Sequence, residues 1–202
     1  MKKSVFLSFL IATIMICTSS HGQEKLSLLT PEIKQENTDL LQLINNRKSE
    51  RSYDSEKKID NQTLSEILWV AAGVNQYGRR TIATAKNEQN IKIYVLKEDG
   101  VWFYNAKDNL LEPVSDENAT VYVAQQQKYV LDAPLHLIYV SSDQRWGSFH
   151  AGSSSQNVYL YVTLKGLATV VRGSVNYEQL HRALKLNDDE FVIAHQPIGY
   201  LK

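Results

Sequence analysis

The sequence contains a single cysteine, Cys17, among its 202 residues. A chain with one cysteine cannot form an intramolecular disulfide, and a zinc site built from several thiolates is excluded as well. Basic and acidic residues balance at 22 each, and we find no clustered basic face of the kind that nucleic-acid binding requires. The hydrophobic fraction of 43% is ordinary for one globular domain with a sizeable core.

Residues 1–22 are predicted to be a signal peptide. Lys2 and Lys3 give a positive start, an apolar run follows at residues 5–17, and small residues precede an expected cleavage site near Gly22. This run is shorter than the ~20 residues that span a bilayer, so we expect no stable membrane anchor. Lipoprotein anchoring at Cys17 is not expected, because bulky Ile16 stands where such sites need a small residue. The mature protein is therefore expected in the periplasm or secreted, without its cysteine.

A polar lead-in at residues 23–36 precedes one predicted domain at residues 37–202. Thr38 is predicted to cap a helix that ends at the Asn45–Asn46 pair. Asp60 or Asn61 is expected to open a second helix, which Gly73 ends in a left-handed conformation. Apolar spacing predicts further helices at 121–129, 153–165 and 177–184.

Apolar, β-branched and aromatic runs predict five strands, at 91–96, 101–104, 135–140, 168–171 and 191–194. The first two flank a Lys-Glu-Asp-Gly turn and are expected to form a hairpin. Helices interleaved with strands, together with a clear hairpin, favour an α+β fold.

Cations and hydroxyls are concentrated directly after the first helix. Alternate side chains of an extended segment point the same way, so Arg47, Ser49 and Arg51 are expected to converge. Guanidinium groups and a hydroxyl together suit a phosphate group. On composition alone, a solvated charged turn is the favoured explanation of the segment.

A second polar segment, at residues 78–89, contains Asn87 and Gln89. Their amides can donate and accept at once, which suits a ligand with mixed polar edges such as a flavin. The alternative is a polar loop that leads into the next strand.

The histidines have no spacing typical of metal ligands, so no metal site is predicted. His136 lies inside an apolar run and is expected to be a satisfied core residue.

The order of these segments resembles that of the nitroreductase family, and most closely its short, exported members. The resemblance runs from about residue 40 to the C-terminus. It rests on Arg47–Arg51, Leu64–Asn75, Arg80–Gln89, Ile93–Val95, Gly100–Tyr104, Ala133–Pro134, Gly152–Leu160, Gly166–Leu167 and Gln196–Tyr200.

The resemblance implies a mixed, mainly antiparallel sheet flanked by helices, in an intertwined homodimer with FMN at the subunit interface. The positions that match the family's flavin-binding segments fall into four groups. Arg47, Lys48, Ser49 and Arg51 lie on the phosphate- and ribityl-binding segment, Asn87 and Gln89 on a segment that touches the flavin, Val171, Arg172 and Gly173 along the ring, and Lys202 where longer relatives carry a basic tail.

The implied activity is electron or hydride transfer through FMN, from a reduced donor to a small organic acceptor, with no catalytic acid or base assigned. Because little reduced nicotinamide is expected outside the cytoplasm, another donor is expected, or a dehydrogenation run in the oxidative direction. The alternative function is a degenerate member that binds a ligand or partner without turnover. It is motivated by the export signal and by Ala83–Thr84–Ala85, which stands where relatives carry Pro-Ser-Ala.

The predicted helix from Ser153 is apolar on more than one face. A helix without a polar stripe must be covered on both sides. A partner subunit could supply the second cover, and a central helix of a monomeric core is the alternative.

Overall fold

A seven-stranded sheet forms the centre of the protein in the computed structural model, which describes residues 24–30 and 40–202. Its strands are β1 (Leu26–Ser27), β2 (Ile91–Lys97), β3 (Gly100–Asn105), β4 (Leu110–Ser115), β5 (Leu135–Ser141), β6 (Leu167–Thr169) and β7 (Phe191–Tyr200). They are ordered β1-β4-β3-β2-β5-β7-β6, and each neighbouring pair is antiparallel. This sheet and its flanking helices confirm the predicted fold class.

Helices cover both faces of the sheet. They are α1 (Leu40–Asn46), α2 (Asn61–Ala72), α3 (Val121–Ala124), α4 (Gly147–Leu164) and α5 (Tyr177–Ala183), with 3₁₀ turns at Ala85–Asn87 and Lys128–Asp132. Side chains alternate between the two faces of a strand. Accordingly, Ile93 of β2 and Leu137 of β5 pack with α2 and α4, whereas Leu96 and Ile138 pack with α3 and α5.

The predicted start of α2 is confirmed, whereas the predicted conformation at its end is wrong. Asp60 caps the helix, since its carboxylate accepts the Thr63 N–H at 2.8 Å. Gly73 is extended (φ −69°, ψ −178°), so the predicted left-handed cap is wrong. Glycine is required there because a Cβ would lie 2.5 Å from the Trp69 ring.

Three further boundaries differ from prediction by more than two residues. The helix expected at 121–129 breaks after Ala124, because Gln125 turns to φ 42°, and a 3₁₀ turn follows. Helix α4 begins at Gly147 rather than at Ser153. In the turn just before it, the Asp143 carboxylate accepts hydrogen bonds from the Arg145 and Trp146 N–H groups. Strand β7 continues to Tyr200 because it pairs with β5 on one side and with β6 on the other.

The predicted signal peptide and the predicted cap Thr38 lie outside the described residues. Within the described part of the chain, no helix is long and apolar enough to cross a membrane. The described part of the polar lead-in contributes β1, in which Leu26 pairs with Leu111 of β4.

Candidate functional site

The segment after α1 meets α4 at one aromatic side chain, Tyr159. The Arg47 guanidinium lies 5.1 Å from the centre of the Tyr159 ring, and the Ser49 hydroxyl lies 2.9 Å from the Tyr159 hydroxyl. The Glu50 N–H donates to Thr169 O of β6 at 2.9 Å and fixes the backbone of the segment. The structure therefore brings Arg47 and Ser49 together, two of the three residues that were expected to converge.

Lys48 and Arg51 remain at the surface beside this pair. Lys48 forms an ion pair with Glu50, so part of its charge is neutralised locally. Arg51 makes no ion pair with any residue that the structure describes. Of these two cations, Lys48 is already paired and Arg51 is accessible to a ligand.

Tyr159 also holds the segment at residues 171–173. Its hydroxyl accepts the Val171 N–H at 2.9 Å. The Tyr159 side chain therefore connects the segment predicted to bind phosphate with the segment expected along the flavin ring. From the sequence alone, Tyr159 is one of the apolar residues of the long predicted helix from Ser153. Its second role depends on contacts 110 residues apart in the chain, for which no local pattern exists.

The three backbone N–H groups of residues 171–173 differ in their hydrogen-bond partners. The Val171 N–H is taken by Tyr159, and the Arg172 N–H donates to His195 O at 2.9 Å. The Gly173 N–H has no hydrogen-bond acceptor among the described residues, and Gly173 is exposed. Gly173 is therefore the residue of the three whose amide can reach a ligand.

The Arg172 side chain turns away from solvent and is only 9% exposed. Its guanidinium donates to Gln127 Oε1 at 2.8 Å, to Val123 O and to His195 Nδ1, none of which is an anion. The third nitrogen, Nη2, is buried without a partner, and burial lowers the pKa of Arg172. The side chain is thus a buried cation with no carboxylate paired to it among the described residues.

Two buried histidines continue this network, and Arg172 fixes their tautomers. Because the guanidinium donates to His195 Nδ1, the His195 proton is on Nε2, from which it donates to His136 Nδ1 at 3.0 Å. Burial lowers the pKa of His136 to about 4 and also lowers that of His195. Both rings are therefore neutral near pH 7. His136 is indeed a satisfied core residue, as its apolar surroundings suggest.

The loop at residues 83–90 is a surface structure. Asn87 and Gln89 are exposed and adopt left-handed backbone conformations, with φ of 57° and 52°. Their side-chain amides bond each other at 3.2 Å. The Thr84 hydroxyl accepts the Gln89 N–H at 3.0 Å, so Thr84 supplies a hydrogen bond within the loop.

The C-terminus returns to the Arg47–Arg51 segment. Leu201 forms an isolated bridge with Tyr53, and the Asp54 N–H donates to Tyr200 O at 2.9 Å. Lys202 is exposed next to this bridge. The last residue therefore lies close in space to the segment predicted to bind phosphate.

Comparison with known proteins gives a consistent result. A family model described as the nitroreductase family matches residues 44–200. The chain is 28% identical over 174 residues to a Methanocaldococcus jannaschii protein whose name places it among the nitroreductases, covering 76% of this chain and 86% of that protein.

Solved structures agree with this match. A Ralstonia eutropha protein, also named as a nitroreductase, superposes with a TM-score of 0.79 and 29% identity, covering 89% of this chain and 90% of its own. A structure described as an oxidoreductase containing FMN superposes with a TM-score of 0.60 and 19% identity, covering 86% and 83% of the two chains.

Proposed function

This chain belongs to the nitroreductase family, whose members are oxidoreductases, and from that membership we propose that it uses FMN to pass electrons from a reduced donor to a small organic acceptor. The observation that carries the proposal is the junction at Tyr159. There a guanidinium and a hydroxyl suited to phosphate are tied to a segment with one unpaired, exposed backbone N–H.

The residues around this junction fit such a cofactor. Arg47, Ser49 and Arg51 offer the cationic and hydroxyl donors that a phosphate group accepts from. The Gly173 N–H offers a donor to a ring nitrogen, and the exposed loop amides of Asn87 and Gln89 offer mixed donors and acceptors. FMN supplies the hydride and electron chemistry when it is bound, and the protein supplies position and charge.

Arg172 contributes charge to the same segment. Among the described residues no anion is paired with this cation, so it creates a positive potential whose effect is stronger in a protein interior than in water. Its backbone is locked by paired hydrogen bonds to His195, so the guanidinium and the neighbouring Gly173 N–H keep a fixed relation. The arrangement favours a ligand that becomes more electron-rich during the reaction.

We also propose the homodimer that the family resemblance implies. None of the seven residues of α1 is buried, although Leu40, Leu41 and Ile44 are apolar and each is at least 50% exposed. A cleft of about 440 Å³ lies between α1, α2 and α4, where Leu164 of α4 is 47% exposed. A helix this short and this exposed has little stability of its own. A second copy of the chain would cover these apolar side chains.

Export through the predicted signal peptide is part of the proposal, and it affects the choice of donor. A periplasmic or secreted flavoprotein meets little reduced nicotinamide, so we propose a different reductant, or a dehydrogenation run in the oxidative direction. Rapid oxidation of reduced nicotinamide by the flavin-loaded protein, with a quinone or a nitroaromatic as acceptor, would remove the reason for this part of the proposal.

The first test is the visible absorption spectrum of the protein, expressed without residues 1–22, after incubation with FMN and desalting. We expect flavin bands at about one FMN per chain, and a dimer mass in sedimentation of the same sample. Arg47→Ala combined with Ser49→Ala should bind FMN at least tenfold more weakly, because two donors to the phosphate are lost. A folded, colourless protein that refuses FMN would instead support the degenerate binding function.

The control for this variant is Arg182→Ala. Arg182 is an exposed cation on α5 that makes one surface ion pair with Glu178. Its loss changes the net charge by as much as Arg47→Ala but removes no group near Tyr159. Equal weakening by both substitutions would mean that FMN responds to net charge rather than to the proposed site.

A further inference from the structure

His150 occupies a position that the flavin-binding residues do not explain. It lies in the first part of α4 and is completely buried. Its Nε2 atom lies 2.9 Å from the Ala85 backbone nitrogen, and its Nδ1 atom lies 2.9 Å from Asn90 Oδ1. One imidazole therefore contacts both ends of the loop at residues 83–90.

The tautomer of His150 follows from these partners. A backbone N–H can only donate, so Nε2 must accept from Ala85, and the ring proton is on Nδ1, where it donates to Asn90. A protonated imidazole carries hydrogen on both nitrogens and cannot accept. The bond to Ala85 thus exists only while His150 is neutral.

The loop needs such an anchor. Lys86, Asn87 and Gln89 all have positive φ values between 52° and 57°, a region that side chains with a Cβ rarely adopt. Such conformations persist only when the surrounding structure enforces them. The hydrogen bonds within the loop, such as Gln89 N–H to Thr84 Oγ1, do not tie it to the rest of the protein.

A second connection starts from Asn90 and leads to the start of α4. The Asn90 amide donates to Asp143 Oδ2 at 3.1 Å and to Glu88 Oε2 at 3.4 Å, and Asp143 accepts the Arg145 N–H in the turn that precedes α4. Backbone N–H groups, that of Trp146 first, lower the pKa of Asp143. The carboxylates of Asp143 and Glu88 accept from Asn90 rather than from the imidazole.

We propose that His150 is a positioning residue, which in its neutral form holds the loop at residues 83–90 in the conformation that presents Asn87 and Gln89 to the flavin. The inference rests on the proposed function for its ligand. The anchoring itself rests on the two hydrogen bonds alone, and it can be measured without flavin.

The test compares FMN dissociation constants and backbone hydrogen exchange for the wild type, His150→Leu and His150→Gln. The leucine side chain fills the site but offers no acceptor, so we expect FMN to bind about tenfold more weakly. The Ala85 amide should exchange faster in the same variant. Glutamine carries an acceptor and a donor and should restore affinity to within about threefold of the wild type.

Recovery of both FMN affinity and slow Ala85 exchange in His150→Gln, but not in His150→Leu, separates positioning from a general packing defect. His181→Leu is the matched control, because His181 lies on α5, far along the chain from the loop, and its ring bonds Asn187 O rather than any residue of the loop.

The outcomes separate the inference from the function it rests on. Wild-type protein that never binds FMN would overturn the proposed function, and with it the role of the loop in flavin binding. Wild-type protein that binds FMN, with His150→Leu unchanged in both affinity and Ala85 exchange, would overturn the positioning role alone.

Discussion

Val171 and Arg172 are hydrogen-bonded to buried partners, whereas the loop at residues 83–90 lies on the surface, yet both segments were predicted to contact the flavin. Arg172 is held by backbone bonds to His195 and by a buried side-chain network. The loop is held by His150 and by bonds between its own exposed groups. The first segment contributes to the stability of the fold, and the second depends on a fold that is already formed.

This difference predicts, first, that acid lowers the stability of the fold by protonating the buried histidines that are linked to Arg172. The folded-state pKa of His136 is about 4, below its ordinary value of 6.5, and that of His195 is lowered too. Between these values the unfolded chain binds more protons than the folded protein, so stability is complete above about pH 6.5 and is lost as the pH falls. His136 alone should account for a loss of about 2 kcal/mol at pH 5.

Urea unfolding at about pH 7.5 and pH 5 measures this loss. His136→Gln should remove roughly half of the pH dependence, since one of two titrating rings remains. His181→Gln, which changes a ring outside the buried network, should leave it intact. Equal stability of the wild-type protein at both pH values would contradict the neutral, buried histidine pair.

The second prediction sets one substitution in each region against the other. Arg172→Leu leaves acceptors on His195, Val123 and Gln127 without their donor, and it should lower the free energy of unfolding by about 2 kcal/mol even though a buried charge is removed. Thr84→Ala removes one exposed hydrogen bond of the loop and should cost less than about 1 kcal/mol. Urea unfolding near pH 7.5 checks both values.

The opposite order of these two costs would mean that the buried network adds nothing to stability. In that case Arg172 would be retained for its charge alone. A change in flavin affinity without a change in stability would then be its only effect.

The sequence predicted most of this fold because its signals are local. Asp60 and the apolar spacing after it are enough to place α2, and a Lys-Glu-Asp-Gly turn is enough to place the β2–β3 hairpin. Strand β4 was missed because Pro113 interrupts the pattern of its side chains. On the outer side, β4 pairs only with the two-residue strand β1. The start of α4 was missed because Gly147 and the serines after it are poor helix formers.

The site was predictable only where neighbours in sequence are neighbours in space. Arg47 and Ser49 are two positions apart, so their convergence could be read from the strand period. Tyr159 and His150 act on residues 110 and 65 positions away, and nothing in their own surroundings signals this. The burial of the Arg172 side chain was likewise invisible, because an arginine is rarely found inside without a carboxylate.

The last prediction concerns the one group of the buried segment that faces outward. Gly173→Pro removes the unpaired N–H, whereas Gly173→Ala keeps it, and a Cβ at this position meets only Tyr177 Oη at 3.4 Å, an ordinary contact. If this amide donates to the flavin, Gly173→Pro should weaken FMN binding about tenfold, the loss of roughly 1.4 kcal/mol, and Gly173→Ala should bind nearly as the wild type does. Titration of the flavin absorbance measures both. Equal affinities for the two variants, with the fold intact by circular dichroism, would move the ring contact away from Gly173 and leave the surface loop as the main contact of the flavin.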